Sequence, residues 1–292
     1  MELLDKGARG ERLFVVVPSH PCTLAPLHPA TIATIFETCN IYTRSGLSSF
    51  EGCAMCPESE SDRIPTYVKG LDERMEGGIP VGHVVLLCGR AGSMKSTLAF
   101  SIVWNAAKAR GLRSIYISLE VRADCLLRQM GRFGMDISGM DQIMLMDLSK
   151  LRVSKELSIS STQQDWMPAI LRGITAYRQN FGCDLVVIDS LDALYTLSAM
   201  ENPRVKLYHF IEGLRDLGLT VILVSEIRDN TANFGQFGVE SFLADGIIHI
   251  DLAREGRSVG RYIGVAKMRE TNHVQGYFPL IADKTGFRIV TK

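Results

Sequence analysis

The chain has no excess charge of either sign. Its 32 lysine and arginine side chains are matched by 32 aspartate and glutamate, for a formal net charge of zero at pH 7. Attachment to nucleic acid through bulk positive charge is therefore not expected, although a local basic strip would escape this count. Long apolar runs are missing as well. Leu13 to Pro18, near the N-terminus, is far too short for a signal-peptide core or a membrane helix, so a cytoplasmic protein without membrane contact is expected. No internal repeat is visible, which leaves a single copy of whatever domain is present. Paired cysteines are also scarce. Of the seven cysteines, only Cys53 and Cys56 form a CxxC. Structural zinc usually takes two tight ligand pairs, so although Cys22, Cys39, His20 or His28 could be recruited, zinc at Cys53 and Cys56 is not expected. Cys88, Cys125 and Cys183 read as small buried apolar residues in a reducing compartment.

What remains is an ordinary globular composition, 46% apolar and 22% charged over 292 residues, enough for one large domain with an appendage. Residues 1–62 differ from the rest. They hold a short strand at about Leu13 to Val17, a helix at about Ala30 to Cys39, and the polar run Pro57-Glu58-Ser59-Glu60-Ser61-Asp62, a linker by composition. An N-terminal extension of unknown role is expected there, followed by a domain over 63–292. Within that domain apolar strands alternate with helical segments. Strands are expected at His83–Cys88, Arg113–Leu119, Gln142–Asp147, Asp184–Ile188 and Leu219–Val224. The intervening helices are expected at Ser96–Arg110, 122–134, Gln164–Phe181 and Pro203–Leu217. Continuously apolar strands between helices predict an α/β fold, a mostly parallel sheet covered on both faces. Short strands after Gly246 predict an antiparallel C-terminal extension.

One turn in this pattern carries chemistry. After Val84-Val85-Leu86-Leu87-Cys88 the chain reads Gly89-Arg90-Ala91-Gly92-Ser93-Met94-Lys95-Ser96-Thr97 and then enters a helix. Backbone N–H groups of such a turn converge on phosphate oxygens at a helix N-terminus. Lys95 would reach the β- and γ-phosphates and the Ser96 hydroxyl would bind magnesium. Met94 occupies the place of the second glycine in G-x-x-x-x-G-K-[ST].

In an open parallel sheet, ligands bind at the carboxyl ends of the strands. Four strands end there in polar residues: the phosphate turn, Glu120, Asp189-Ser190 and Ser225-Glu226. Asp189, after four apolar residues, has the form of a magnesium-holding carboxylate, with a helix N-cap as the alternative. Glu120 is placed to deprotonate an attacking water, or to serve as a first-turn helix acid. Ser225 and Glu226 would sense the γ-phosphate or simply close a strand. Late in the chain, alternation puts Lys267 and Arg269 on one strand face. They form either a solvated edge or a phosphate clamp reaching a neighbouring subunit's nucleotide.

Gly70-Leu71-Asp72-Glu73-Arg74-Met75-Glu76-Gly77-Gly78-Ile79-Pro80-Val81-Gly82-His83, followed by the phosphate turn, resembles the KaiC family of RecA-like ATPases. The likeness continues through Ile117-Ser118-Leu119-Glu120, Val186-Val187-Ile188-Asp189-Ser190, Val239–Gly246 and Lys267-Met268-Arg269-Glu270-Thr271-Asn272-His273, over about residues 64–292. The resemblance implies a RecA-like P-loop fold, magnesium-ATP, a homo-oligomer such as a hexameric ring, and an active site between subunits. It also implies that Lys267, Arg269, Thr271 and His273 touch the neighbour's ATP, and that the protein acts in signalling or regulation with a protein partner not identifiable here. The sequence departs from the family pattern at Met94, at Val121 where a second glutamate is common, and at Glu270 where glycine is common. Slow turnover is one consequence considered. Two rivals remain: a RecA/RadA-type recombinase paralogue, and a switch that binds ATP to assemble without hydrolysing it. In the segment Arg228 to Glu240, Phe234 and Phe237 could stack bases, but its near-neutral charge argues against strong DNA binding. Ser241, standing alone where the family's kinase domain has a hydroxyl pair, reads as a backbone-satisfied hydroxyl in preference to a phosphorylation site.

Overall fold

The computed structural model describes residues 14–16, 62–149, 165–198, 202–227 and 234–291. The helix expected at about Ala30 to Cys39, the linker run up to Ser61, the CxxC and part of the segment after Arg228 lie outside those residues. Within them the chain runs β1 (Phe14–Val16), β2 (Arg63–Ile64), β3 (Val68–Lys69) and β4 (Ile79–Pro80), and then enters β5 (Val84–Gly89) and helix α1 (Lys95–Arg110). There follow β6 (Ser114–Ser118), α2 (Ala123–Arg132), β7 (Ile143–Asp147), α3 (Trp166–Phe181), β8 (Leu185–Asp189), α4 (Leu191–Leu197), α5 (Pro203–Asp216) and β9 (Thr220–Glu226). The short helix α6 (Glu240–Leu243) precedes β10 (Gly246–Glu255), β11 (Ser258–Met268), β12 (Phe278–Asp283) and β13 (Gly286–Ile289).

The main sheet has the order β1-β7-β6-β8-β9-β5-β10-β11-β12-β13-β3. Strands β7, β6, β8, β9, β5 and β10 pair in parallel. From β10 onward β11, β12 and β13 add antiparallel strands, as expected from the change of pattern after Gly246. β1, read from Leu13 to Val17, pairs antiparallel with β7 at the opposite edge.

Two apolar layers cover the sheet, and the two-residue alternation of strand side chains assigns residues to each. Val84, Leu86, Ile115, Ile117, Val186, Ile188, Val221 and Leu223 share a buried cluster with residues of α3, α4 and α5. Val85, Leu87, Tyr116, Leu185, Val187, Ile222 and Val224 share another with residues of α1 and α2. All five residues of β8 are buried, which is why that strand reads as an unbroken apolar run ending in one carboxylate. β6, β8, β9 and β5 are consecutive in the sheet, so the polar residues after them form one continuous row at its carboxyl edge.

Candidate functional site

The phosphate turn owes its shape to backbone constraints. Gly89 ends β5 so close to β10 that an added Cβ would lie 2.3 Å from the Ile250 carbonyl oxygen, and Gly92 takes φ +79°. Met94 holds φ 75° and ψ 25° as the residue before α1. The left-handed backbone usual for glycine is kept here by a side chain that strains it. The first backbone bond across the start of α1 runs from the Leu98 N–H to the Met94 carbonyl, 2.9 Å. The N–H groups of Lys95, Ser96 and Thr97 therefore have no partner within the helix. No side chain caps this end, and no acidic residue stands in the first turn. The Ser93 hydroxyl is buried beneath the turn without a hydrogen-bond partner.

Lys95 lies back over the turn, its Nζ donating to the carbonyls of Gly89 and Arg90 at 2.9 Å each. Burial pulls its pKa below the ordinary value, while the nearby carboxylates of Glu226, Asp189, Asp192 and Glu120 oppose that shift. Asp189 ends β8, almost fully buried, beside the Ser96 hydroxyl that hydrogen-bonds it. Burial raises its pKa despite that bond and a second from Tyr116, whose phenol donates to Oδ2 at 2.6 Å. Asp189 is not the helix N-cap: Ser190 is, accepting from the Ala193 N–H. The Ser190 hydroxyl in turn donates to Glu120 Oε1 at 2.5 Å. Glu120 precedes α2 and is exposed, so it is not a first-turn acid of that helix.

Ser225 is buried in β9 opposite Cys88, and Glu226 is exposed opposite Gly89. Of this pair it is Glu226 whose charge acts most strongly on Lys95. The Glu226 N–H donates to Asp192 Oδ2 at 2.7 Å, and burial raises the pKa of that carboxyl. The Thr97 side chain turns inward and accepts from Gln129 at 3.3 Å, so its contribution at the turn is its backbone N–H.

Tyr116 and Asp192 join the site without being candidates in the sequence, and Ser190 appears there only as a polar residue at the sheet edge. Tyr116 carried a signal: a phenol in the middle of a fully buried strand requires an acceptor. Ser190 and Asp192 carried weaker ones, as the N-cap and first-turn acid of α4. Cys88 and Cys183 are buried as expected, with burial pushing the Cys183 thiol up to about 12. Cys125 corrects the expectation. It is only half-buried, on the first turn of α2, with Arg128 Nη2 3.1 Å from its sulfur. Ser241 lies in α6 and its hydroxyl donates to the Gly238 carbonyl at 3.1 Å.

Lys267, Arg269, Thr271 and His273 are not brought to this site. Lys267 and Arg269 lie beside Asp245, whose N–H and Oδ2 bond the carbonyl and N–H of Val84, the first residue of β5, and Thr271 and His273 follow in the segment after β11. The phosphate turn follows the last residue of the same six-residue strand, roughly 17 Å away at about 3.3 Å per residue. Both cations also have partners within the chain. Arg269 Nη1 pairs with Asp245 Oδ1 at 2.8 Å, and Lys267 Nζ donates to the carbonyls of Ser241 (3.0 Å) and Ala244 (2.6 Å). Burial and the Arg269 charge lower the pKa of Lys267. Arg215 of α5 completes the cluster, with Nη2 2.8 Å from Asp245 Oδ1. Burial would raise the pKa of Asp245, but hydrogen bonds from Arg215 and the Val84 N–H and the Arg215 charge hold it below the ordinary value. The Arg269 side chain is still 54% exposed, so its ion pair leaves a face open to another molecule.

A parallel sheet bearing this turn on β5, with a buried carboxylate two strands away on β8 and an acid one strand further, after β6, defines a RecA-like P-loop ATPase. Comparison with known proteins narrows the class. The model of the KaiC ATPase family matches residues 64–292, and the chain belongs to that family. It is 25% identical over 236 residues to the circadian clock oscillator protein KaiC of Parasynechococcus marenigrum, covering 80% of this chain and 45% of that protein. It is 27% identical to the circadian clock protein KaiC3 of a Synechocystis strain, covering 78% and 46%. The chain thus spans about half the length of these curated relatives. A solved structure, that of a KaiC-like protein from the hyperthermophilic archaeon Pyrococcus horikoshii OT3, superposes with a TM-score of 0.67 at 28% identity, covering 78% of this chain and 99% of that one. Among the described residues no helix is long and apolar enough to cross a membrane.

Proposed function

We propose that residues 63–292 form a magnesium-dependent ATPase domain that hydrolyses ATP at a site shared between copies of the chain, preceded by a segment, 1–62, of separate and unassigned role. One observation carries this reading: the cations of the Lys267–His273 segment and the phosphate turn stand at opposite ends of β5, so a site containing both needs two chains. Exposed apolar side chains at the cation end support it. Phe242 is 74% exposed, and Val81 and Val274 are about half exposed. Such side chains beside a charged clamp suit burial against a second copy. A closed ring of six is the assembly that the family resemblance suggests.

The residues at the turn fit magnesium-ATP. In the chain alone, four carboxylates act on the Lys95 ammonium, an acidic setting that would repel a triphosphate arriving without a cation. One carboxylate, one hydroxyl and the phosphates themselves would supply the cation's ligands. Magnesium held by Ser96 and Asp189 would neutralise charge on the β- and γ-phosphate oxygens. The free N–H groups of 95–97 and the Ser93 hydroxyl bind phosphate oxygens, and Lys95 leaves the Gly89 and Arg90 carbonyls to do the same. Glu120, oriented by Ser190, takes the proton of the attacking water. Arg269 and Lys267 of the neighbour stabilise charge as it builds on the γ-phosphate. The biological setting would be regulatory, a nucleotide-dependent assembly acting on a protein partner in the cytoplasm.

The test is subunit mixing. Arg269→Ala should lose turnover by about a thousandfold while binding ATP. Activity should return in part when it is mixed with Glu120→Gln, because some interfaces then pair an intact Glu120 with an intact Arg269. Undiminished phosphate release by Arg269→Ala alone, at concentrations where the wild type assembles, would overturn the shared site.

A further inference from the structure

The segment that carries the clamp is a turn after β11, tied by backbone bonds at its ends, Arg269 N–H to Asp245 and Val274 N–H to Arg74, with its middle held by side chains. Glu270 sits in the left-handed region, φ 54°, at the position where the family pattern has glycine. A non-glycine residue there strains the turn, so its shape must be imposed by surrounding contacts. Arg63, some 200 positions earlier in the chain, makes those contacts. Its Nη2 donates to the Glu270 carbonyl at 2.8 Å and its Nη1 to the Thr271 hydroxyl at 2.8 Å. The same guanidinium donates to the Gly78 carbonyl at 3.2 Å and pairs with Glu76 at 2.9 Å. The Arg63 carbonyl is itself fixed by Arg110 of α1 at 2.7 Å. A planar fork that donates in several directions from a partly buried position fixes geometry better than a flexible ammonium could.

We propose that Arg63 is a positioning residue for the clamp: it locks the Glu270–Thr271 turn so that Arg269, Thr271 and His273 are presented to the neighbouring subunit's nucleotide. This rests on the shared-site reading above. Arg63 stands between two turns, 76–78 before β5 and 270–271 after β11, and ties the donor surface to the strand that leads into the phosphate turn. Through that tie, the surface a subunit offers its neighbour is braced on the body that holds its own nucleotide.

Removing the guanidinium releases the turn without touching the phosphate turn. Arg63→Ala should therefore lower kcat by about tenfold to a hundredfold, the scale of a misplacement near 1 Å, with ATP affinity and assembly unchanged. The discriminating readout is which partner restores activity. Mixed with Glu120→Gln, whose clamp is intact, Arg63→Ala should regain activity; mixed with Arg269→Ala, whose clamp is also defective, it should not. Arg63→Lys, which keeps the charge and loses the fork, should fall between Ala and wild type and serves as the test if Arg63→Ala does not fold. Wild-type kcat in both variants, or restoration by Arg269→Ala, would overturn the proposal. Loss in Arg269→Ala with no loss in either Arg63 variant would sink only this inference, whereas full activity in Arg269→Ala would sink the shared site beneath it.

Discussion

Met94 offers a sharp test of how the phosphate turn is built, because its backbone angles and its side chain make opposing demands. At φ 75° the side chain of any L-residue crowds the following carbonyl, which costs about 1–2 kcal/mol relative to a right-handed conformation. Glycine escapes that cost and instead loses about 0.5–1 kcal/mol through the greater freedom of its unfolded chain. The Met94 side chain is half-buried against the apolar cluster on the α1 side of the sheet, so any truncation forfeits some packing. Comparing Met94→Gly with Met94→Ala cancels most of that loss. The balance favours glycine by roughly 0.5–1 kcal/mol, the reverse of the order at an ordinary right-handed position. Met94→Val, with its branched Cβ, should be the least stable of the three. The measurement is the urea midpoint of each nucleotide-free variant at a common m-value. ATP affinity by calorimetry should be close to wild type in the glycine variant, since the N–H groups of 95–97 are undisturbed. If Met94→Ala proves more stable than Met94→Gly, the left-handed turn is not the one the free protein adopts, and the account of a turn shaped for phosphate without ligand fails.

Lys95→Ala should abolish or severely weaken ATP binding, a loss of several kcal/mol from phosphate charge left uncompensated in a partly dry site; an unchanged calorimetric titration would exclude Lys95 from the site. Glu120→Gln should retain ATP binding and lose turnover by about a hundredfold or more, whereas equal phosphate release would reduce Glu120 to a partner of Ser190. Asp189 supplies a pH test in the absence of nucleotide. Burial raises its folded pKa above the ordinary 3.8, so the folded state holds the proton more tightly than the unfolded chain does. The wild type therefore loses stability as pH rises from about 3.8 through the raised value. Asp189→Asn should become progressively more stable than wild type over that rise, read as a widening gap in Tm. A gap of constant size would mean that burial does not penalise the carboxylate.

Much of this protein follows from local pattern. Unbroken apolar runs such as Leu185–Ile188 could only be strands covered on both faces, and the glycines and lysine after Cys88 could only be useful at a strand-to-helix turn. Phosphate binding is in essence a property of contiguous backbone, so residues 89–97 announce it in any context that allows a strand and a helix. The polar residues closing β6, β8 and β9 were readable for the same reason, since a buried strand reaches water only at its ends. Tertiary structure decided what depends on strand order and on pairs distant in sequence. That Asp245 neutralises Arg269, that Tyr116 holds Asp189, and that Arg63 braces Thr271 across 208 positions follow from which strands are neighbours, and no local periodicity encodes that. The largest such decision is the placement of Lys267 and Arg269. Alternation puts Lys267 and Arg269 on one face without saying which end of the sheet they reach; β11 runs antiparallel to β10, which is parallel to β5. Its last residues therefore arrive at the end of the sheet where β5 begins, a full strand length from their own phosphate turn.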